Sequence, residues 1–149
     1  MVVKIKRLVP EAVMPKKAHS TDAGYDLVAV SRKVDEDGAV VYGFGLAMEI
    51  PEGYVGLVFP RSSIAKKDLA LSNAVGVVDS CFRGEVLAKF KPILRVSEER
   101  EVFVGGEWYE VGDRIAQLVV VKLPDVQLVE SDELSESERG TGGYGSSGK

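Results

Sequence analysis

Arg61 and the two serines that follow it are suited to binding an anionic group. They belong to PRSS, residues 60–63, in which a proline stiffens the approach to the arginine. A guanidinium fork fits phosphate oxygens, and the free backbone N–H groups at a helix start favour an anion. The segment predicts one of two features: a helix capped by Ser62 or Ser63 that carries a surface arginine, or a helix start that binds an anion such as phosphate.

A second candidate lies in SNAVGVVDSCFRGEV, residues 72–86. Its valines predict a short apolar strand, after which Asp79 opens a turn that Gly84 closes. Such an aspartate either bonds its own backbone or lies at the mouth of a pocket. In a pocket it would be ionised at neutral pH and could orient and deprotonate a water molecule. Phe82 is then either a core ring or a flat surface beside a ligand.

Two polar residues interrupt apolar strand patterns elsewhere. Asp26 has an apolar residue on each side, so it either points away from the core or helps to hold a cation. Gln117 lies in GDRIAQL, residues 112–118. It is either part of a buried hydrogen-bond network or an amide that faces a ligand.

Several common catalytic designs are missing from the sequence. His19 is the only histidine and Cys81 the only cysteine, so we expect no transition-metal centre, no internal disulfide and no Ser-His-Asp triad. No G-x-x-x-x-G-K-[ST] phosphate loop occurs. The single cysteine favours a reducing compartment, and we expect the protein in the cytoplasm.

The elements that must position these residues are mainly strands. Val, Ile, Leu and aromatic residues dominate a series of segments, several with alternating polar residues, and turn formers separate them. One all-β domain over residues 1–130 is therefore expected, folded as a barrel or sandwich. The predicted strands lie in VVKIKRLV, YDLVAV, GAVVYGFGLAMEI, GYVGLVFP, GEVLAKFKPI and RIAQLVVVKL.

Two segments depart from this pattern. SSIAKKDLAL, residues 62–71, has Ile64, Ala65, Leu69 and Leu71 at helix-compatible spacings, which predicts one short helix. Residues 131–149 change from an acidic, serine-rich stretch to the glycine-rich RGTGGYGSSGK. Because little there can be buried, this end is predicted to form a flexible C-terminal arm.

Composition narrows the classes of partner. The chain has 149 residues, 45% hydrophobic and 28% charged, which suits one globular domain with its own core. A net charge of −4 without a basic block disfavours nucleic-acid binding. No apolar run approaches the roughly 18 residues that span a bilayer, so no membrane partner is expected. Binding of a small anionic ligand is still compatible with this net charge, since a few arginines can form a local positive site.

The order of the motifs is more specific than any one of them. AGYDL, PRSS, NAVGVVDSCFRG, GDRIAQL and RGTGGYG resemble, in order and spacing, the five motifs of the dUTPase family, from Ala23 to the last residues. The resemblance implies a jelly-roll-like distorted β-barrel that forms a homotrimer with active sites shared between subunits. It also implies Mg²⁺-dependent hydrolysis of dUTP to dUMP and pyrophosphate, which supplies dUMP for thymidylate synthesis and keeps uracil out of DNA.

The resemblance assigns roles to single residues. Asp79 would activate the water that attacks the α-phosphate, and Asp26 would contact the Mg²⁺ through bound water. Phe82 would pack on the deoxyribose and exclude a ribose 2′-hydroxyl. The residues implied for the phosphate chain are Arg61, Ser62, Ser63 and Gln117, and those implied for the uracil are Asn73, Gly76, Val77 and Val78.

The arm has implied roles of its own. Arg139 would reach the terminal phosphate and Tyr144 would stack over the uracil, while Gly145, Ser146 and Ser147 would wrap the β- and γ-phosphates. The chain departs from many family members at four positions: Phe82 replaces tyrosine, Ser63 glycine, Tyr144 phenylalanine, and Cys81 a polar or small residue. None of these changes removes a catalytic group.

Two rival functions share the same expected fold or ligand. dCTP deaminase carries a water-activating glutamate where this chain has Lys89, which disfavours deamination. A dUTP-binding signalling trimer with weak turnover is the other rival. Asp79 and the complete tail motif favour an active hydrolase over it.

Overall fold

A computed structural model describes residues 1–93, 96–97, 100–101 and 107–143 of the chain. Strands account for nearly all of its regular structure, and the one helical element among the described residues is a short 3-10 turn, Ser62–Lys66. The strands are β1 (Lys4–Arg7), β2 (Tyr25–Val28), β3 (Ser31–Val34), β4 (Val40–Glu49), β5 (Tyr54–Pro60), β6 (Leu69–Leu71), β7 (Gly76–Val78), β8 (Glu85–Pro92), β9 (Val96–Ser97), β10 (Arg100–Glu101) and β11 (Arg114–Lys122).

The strands form two main antiparallel sheets. In sheet I, β4 pairs along one edge with β3 and then β1, and along its other edge with β8, which in turn pairs with β6. Sheet II has the order β2-β11-β5-β7, so that β7 is an edge strand. Strands β9 and β10 pair only with each other among the described residues.

Alternation along the strands builds one core from both sheets. On β8, Val86, Ala88 and Phe90 are buried, while Leu87 and Lys89 between them are exposed. The largest fully buried side chains are Tyr42, Phe44, Phe90, Leu27, Leu46, Met48, Ile50, Leu69, Ile115 and Val40. The strand segments predicted from the sequence are therefore confirmed, and with them the all-β, jelly-roll-like fold.

The expected short helix differs from the structure in length and type. The 3-10 turn covers five residues, and Arg61 at its N-cap position makes no side-chain capping hydrogen bond. Leu69 and Leu71, which the helical spacing included, belong instead to β6, where they pair with Pro92 and Phe90 of β8. Pairing with a distant strand overrides a weak local helix preference. Among the described residues, the α-helix capped by Ser62 or Ser63 is therefore absent.

The described chain after β11, residues 123–143, contains no strand or helix. Apolar side chains along it face solvent: Val126 is 64%, Leu128 92% and Leu134 90% exposed. In the parts of the chain that the structure describes, no helix is long and apolar enough to cross a membrane.

Candidate active site

The free edge of β7 opens onto a cleft of about 260 Å³, called here the base cleft. Among the described residues β7 pairs only with β5, on one side, so its other row of backbone N–H and C=O groups is available to a ligand. Such a row can match the donors and acceptors along the edge of a planar base. The base cleft brings together the residues that the resemblance assigns to uracil and sugar: Asn73, Gly76, Val77, Val78 and Phe82.

Phe82 is a wall of this cleft and is not a core residue. Its side chain is 41% exposed, and its ring lies against the backbone of Gly84, where an added Cβ would come within 2.7 Å of Cζ. Any larger residue at 84 would push the ring aside, so the glycine that closes the turn also permits the ring's position. Of the two alternatives that the sequence left open for Phe82, a flat surface beside a ligand fits this placement.

Asp79 follows β7 and is exposed. Its carbonyl accepts the Phe82 N–H at 3.1 Å, and the Arg83 guanidinium closes the turn by donating to the carbonyls of Ser80 and Phe82 at 2.6 and 2.8 Å. Within the described ranges no hydrogen bond or ion pair engages the Asp79 carboxylate. The turn therefore forms without the Asp79 carboxylate, which stays available to bind and deprotonate a water molecule.

A second cleft, of about 270 Å³, lies at the far end of β5; we call it the phosphate cleft. It gathers candidates from three separate motifs. Its lining includes Asp22, Asp26, Arg61, Ser62 and Gln117. Of the residues expected at the phosphates, the structure places Arg61, Ser62 and Gln117 together, beside Asp26, which was expected near Mg²⁺. Asp22 was not among the expected residues.

Asp26 lies between two arginines in this cleft. Its Oδ1 accepts from Nε of Arg61 at 2.7 Å and its Oδ2 from Nη1 of Arg114 at 3.0 Å, and its side chain is only 14% exposed. Ion pairs at low exposure hold geometry better than surface pairs. Nη1 of Arg61 donates to the Arg114 carbonyl at a long 3.5 Å, so binding through Nε leaves Nη2 as the terminal nitrogen best placed to bind phosphate oxygens. Arg114 is the residue the sequence analysis missed, although it stands in the GDRIAQL motif.

Gln117 combines both roles that its sequence context left open. It pairs with Asp26 of β2 and Phe59 of β5 across sheet II, and its Nε2 donates to the Pro60 carbonyl at 3.2 Å. Gly24 packs directly on it, since an added Cβ would lie 2.5 Å from Oε1. The amide is thus held by its neighbours while it lines the phosphate cleft.

The two clefts lie at opposite ends of β5. Val78 pairs with Gly56, so Asp79 stands beside the start of the strand, whereas Arg61 follows its end. Six residues of strand at roughly 3.3 Å each separate them by about 20 Å. Within one chain, Asp79 and Arg61 therefore face different ends of the molecule.

The described residues contain no cluster of three or more His, Cys, Asp or Glu side chains placed to hold a metal. The phosphate cleft does contain two carboxylates, Asp22 and Asp26. A hard cation that arrives with phosphate and water ligands needs few protein ligands. The donor set therefore fits Mg²⁺ bound chiefly by a triphosphate.

Three groups of expected site residues lie elsewhere. Ser63 does not line the phosphate cleft; its Oγ is 2.9 Å from Oη of Tyr109. Arg139 bonds within its own turn, donating to the carbonyls of Gly142 and Gly143 at 2.9 and 3.2 Å. The expected tail contacts Tyr144, Gly145, Ser146 and Ser147 lie outside the described residues.

Comparison with solved structures places this geometry among known proteins. The dUTPase of Staphylococcus bacteriophage 80alpha, solved with dUPNHPP, superposes with a TM-score of 0.81 at 32% identity, covering 99% of each chain. A mutant dUTPase from phage phi11 of S. aureus, whose structure concerns a structural Mg(II) ion, has a TM-score of 0.73 at 27% identity. It covers 89% of this chain and 98% of the phage chain.

Sequence comparison agrees with the structural one. A deoxyuridine 5′-triphosphate nucleotidohydrolase of Rhodococcus erythropolis is 43% identical over 98% of this chain and 85% of its own length. The protein of the same description from Corynebacterium glutamicum is 40% identical, with coverages of 99% and 95%. The family model described as dUTPase matches residues 10–148. Because this match spans nearly the whole chain and its motifs line both clefts, the chain belongs to the dUTPase family.

Proposed function

We propose that this protein hydrolyses dUTP to dUMP and pyrophosphate, as a homotrimer whose active sites are shared between subunits. The observation that carries the shared site is the separation of about 20 Å between Asp79 and Arg61 along β5. A base that acts on the α-phosphate and an arginine that holds the same triphosphate must lie much closer together. A base cleft of one subunit that meets the phosphate cleft of another resolves the conflict.

The segment after β11 also supports assembly. Val126, Leu128 and Leu134 are largely exposed in the single chain, and apolar side chains grouped along one segment are typical of surfaces that another chain covers. In a cyclic assembly with heterologous contacts, the base cleft of each subunit meets the phosphate cleft of one neighbour, so that every cleft takes part in one site.

In the proposed reaction, the edge of β7 and Asn73 bind the uracil, and Phe82 packs on the deoxyribose. Asp79 accepts a proton from the water whose oxygen attacks the α-phosphorus, and the bond from that phosphorus to the bridging oxygen of pyrophosphate breaks. Phosphoryl transfer depends mostly on positioning and charge stabilisation.

On the phosphate side, Arg61, Ser62 and Gln117 bind phosphate oxygens, and Asp26 keeps the Arg61 guanidinium in place. Mg²⁺ bound to the triphosphate would offset charge on its oxygens. Each oxygen of Asp26 keeps a lone pair beyond its arginine bond, so Asp26 can also accept a hydrogen bond from a metal-bound water, with Asp22 beside it.

The arm completes the site in this proposal. Arg139 binds the terminal phosphate, Tyr144 stacks on the base, and Gly145, Ser146 and Ser147 wrap the β- and γ-phosphates. Ordering such a segment costs conformational entropy, so closure accompanies binding of the whole nucleotide. The product dUMP would serve thymidylate synthesis, and removal of dUTP would keep uracil out of DNA; the cytoplasm remains the expected compartment.

The experiment that tests this function measures two products side by side. Purified protein with Mg²⁺ should release pyrophosphate from dUTP and no ammonia from dCTP. Lys89, which stands where a deaminase has its glutamate, is a cation paired with Asp35 at 2.5 Å. Ammonia release would favour the deaminase, and dUTP binding without pyrophosphate release would favour the signalling trimer.

A further inference from the structure

Ser63 stands next to the phosphate cleft but makes its contact with the protein interior. It is the second residue of the 3-10 turn, half-buried, and its Oγ lies 2.9 Å from Oη of Tyr109. Ser62, one position earlier, is exposed and lines the cleft. The two hydroxyls of PRSS therefore have different surroundings, and only the first is placed for a ligand.

Tyr109 is a fixed point for this contact. It is 2% exposed. Its carbonyl accepts from Oη of Tyr42 at 2.9 Å and from Nη1 of Arg32 at 3.0 Å. Its ring centroid lies 6.4 Å from that of Tyr42 and 6.2 Å from that of Phe90, both fully buried. Held at both backbone and ring, Tyr109 presents its hydroxyl to the turn from a rigid part of the core.

The turn makes few hydrogen bonds to the rest of the described chain, although Ile64 packs against the core. Its backbone bonds, Ile64 N–H to Arg61 O and Lys67 N–H to Ile64 O at 2.9 Å each, are local and set only its shape. In the described parts of the chain, no side chain caps its start. At its end, Nζ of Lys67 donates to the Trp108 carbonyl at 3.1 Å. Two hydrogen bonds thus tie the turn and its end to residues 108–109, and Nζ of Lys67 also lies 5.3 Å from the Tyr109 ring centroid. Ser63 supplies the hydrogen bond nearer to Arg61.

We propose that Ser63 and Tyr109 act as one hydrogen-bonded positioning unit, which fixes the turn that carries Arg61 and Ser62 against the triphosphate. The inference rests on the proposed hydrolysis of dUTP. In this proposal neither residue touches the substrate. Tyr109 holds Ser63, and Ser63 holds Ser62 and Arg61 through the backbone that joins them. Phosphoryl transfer is sensitive to small displacements of the groups that hold the phosphates. Loosening this turn should therefore weaken the interactions with the β- and γ-phosphates and leave binding in the base cleft unchanged.

The test compares Ser63→Ala, Tyr109→Phe and the double variant with the wild-type chain, by kcat and KM for dUTP from pyrophosphate release. Each single variant should lower kcat/KM about 3- to 10-fold, the range of one net hydrogen bond. The double variant should lose no more than the larger single loss, because both changes remove the same bond. The affinity for dUMP, which lacks the β- and γ-phosphates, should stay within twofold.

Tyr54→Phe is the matched control. Tyr54 is half-buried at the opposite end of β5 from the turn, so loss of its hydroxyl should leave kcat/KM unchanged. Three results would overturn the inference: wild-type kcat/KM in both single variants, a double loss equal to the product of the single losses, or dUMP affinity reduced in proportion to kcat/KM. A wild-type chain that releases no pyrophosphate would reject the proposed function itself, and the positioning role with it.

Discussion

Nε of Arg61 donates to Oδ1 of Asp26 across 2.7 Å in the wall of the phosphate cleft. The two residues come from motifs 35 positions apart in the chain, and β11 lies between the strands that carry them in sheet II. The pair explains how a guanidinium on a short turn can keep one orientation, since a low-exposure charge-assisted bond resists rotation of its long side chain.

Asp26→Asn tests this pair. We expect kcat/KM for dUTP to fall about 10- to 100-fold, the range of a charge-assisted hydrogen bond. Excess Mg²⁺ should not restore it if Asp26 acts by orienting Arg61, whereas recovery at high Mg²⁺ would assign Asp26 to the metal. Asp22→Asn, in the same cleft without an arginine partner among the described residues, is the control and should lose less.

Asp79→Asn should separate binding from turnover. The amide keeps the shape of the carboxylate but cannot take the proton, so kcat should drop by about 10²- to 10⁴-fold while the affinity for dUTP is kept. Single-turnover pyrophosphate release and equilibrium binding measure the two effects. Asp125→Asn, at an exposed position after β11, should change neither. Retained turnover in Asp79→Asn would remove this residue as the base.

Subunit mixing tests the shared site directly. Chains carrying Asp79→Asn and chains carrying Arg61→Gln, each inactive alone, are co-expressed in equal amounts with different tags. In random cyclic trimers every mixed trimer has one site with both native groups, so the mixture should recover about a quarter of the wild-type activity. If each site lay within one chain, no activity would return. Light scattering should give a mass about three times the 16.1 kDa of one chain.

The ion pair of Asp35 and Lys89 predicts a pH-dependent stability difference. Lys89 lowers the pKa of Asp35 below its ordinary 3.8, and Asp35 raises the pKa of Lys89 above its ordinary 10.5. A depressed carboxylate pKa contributes stability above the unfolded value, which is lost as the pH falls through the folded value. A raised lysine pKa contributes below the unfolded value and is lost at more alkaline pH.

Lys89→Met should therefore lower the free energy of unfolding at pH 7, with the gap to wild type closing as the pH falls below 3.8. Urea unfolding at a fixed protein concentration measures it. Lys91→Met, the next outward-facing lysine on β8, is the control. An equal gap at pH 7 and at pH 3 would contradict the prediction.

Deleting residues from Arg139 onward tests the arm. The core strands all precede this point, so we expect an intact trimer that unfolds as before. Turnover of dUTP should be strongly reduced, because the proposed contacts to the base and to the terminal phosphates are lost. Unchanged kcat/KM in the truncated protein would show that the arm takes no part in the reaction.

Local patterns in the sequence were a good guide to the strands. The segment predicted as a strand in GEVLAKFKPI is β8, and its buried and exposed residues alternate, since side chains on a strand point to opposite faces in turn. The helix prediction was wrong at Leu69 and Leu71. A short apolar pattern there fits a helix and a strand equally well, and pairing with β8 decided between them. β3 was missed because all its side chains are exposed and it has no apolar period.

The grouping of Asn73, Asp79 and Phe82 around β7 was predictable, because these residues lie close together in the chain. The sequence alone thus determined most of the strands, the family and the residue types available to the chemistry. Only the tertiary structure decided that Arg114 shares Asp26 with Arg61, that Ser63 faces Tyr109, and that one chain holds Asp79 and Arg61 at opposite ends of β5. Such relationships depend on strand order and register across the sheet, which no local spacing encodes.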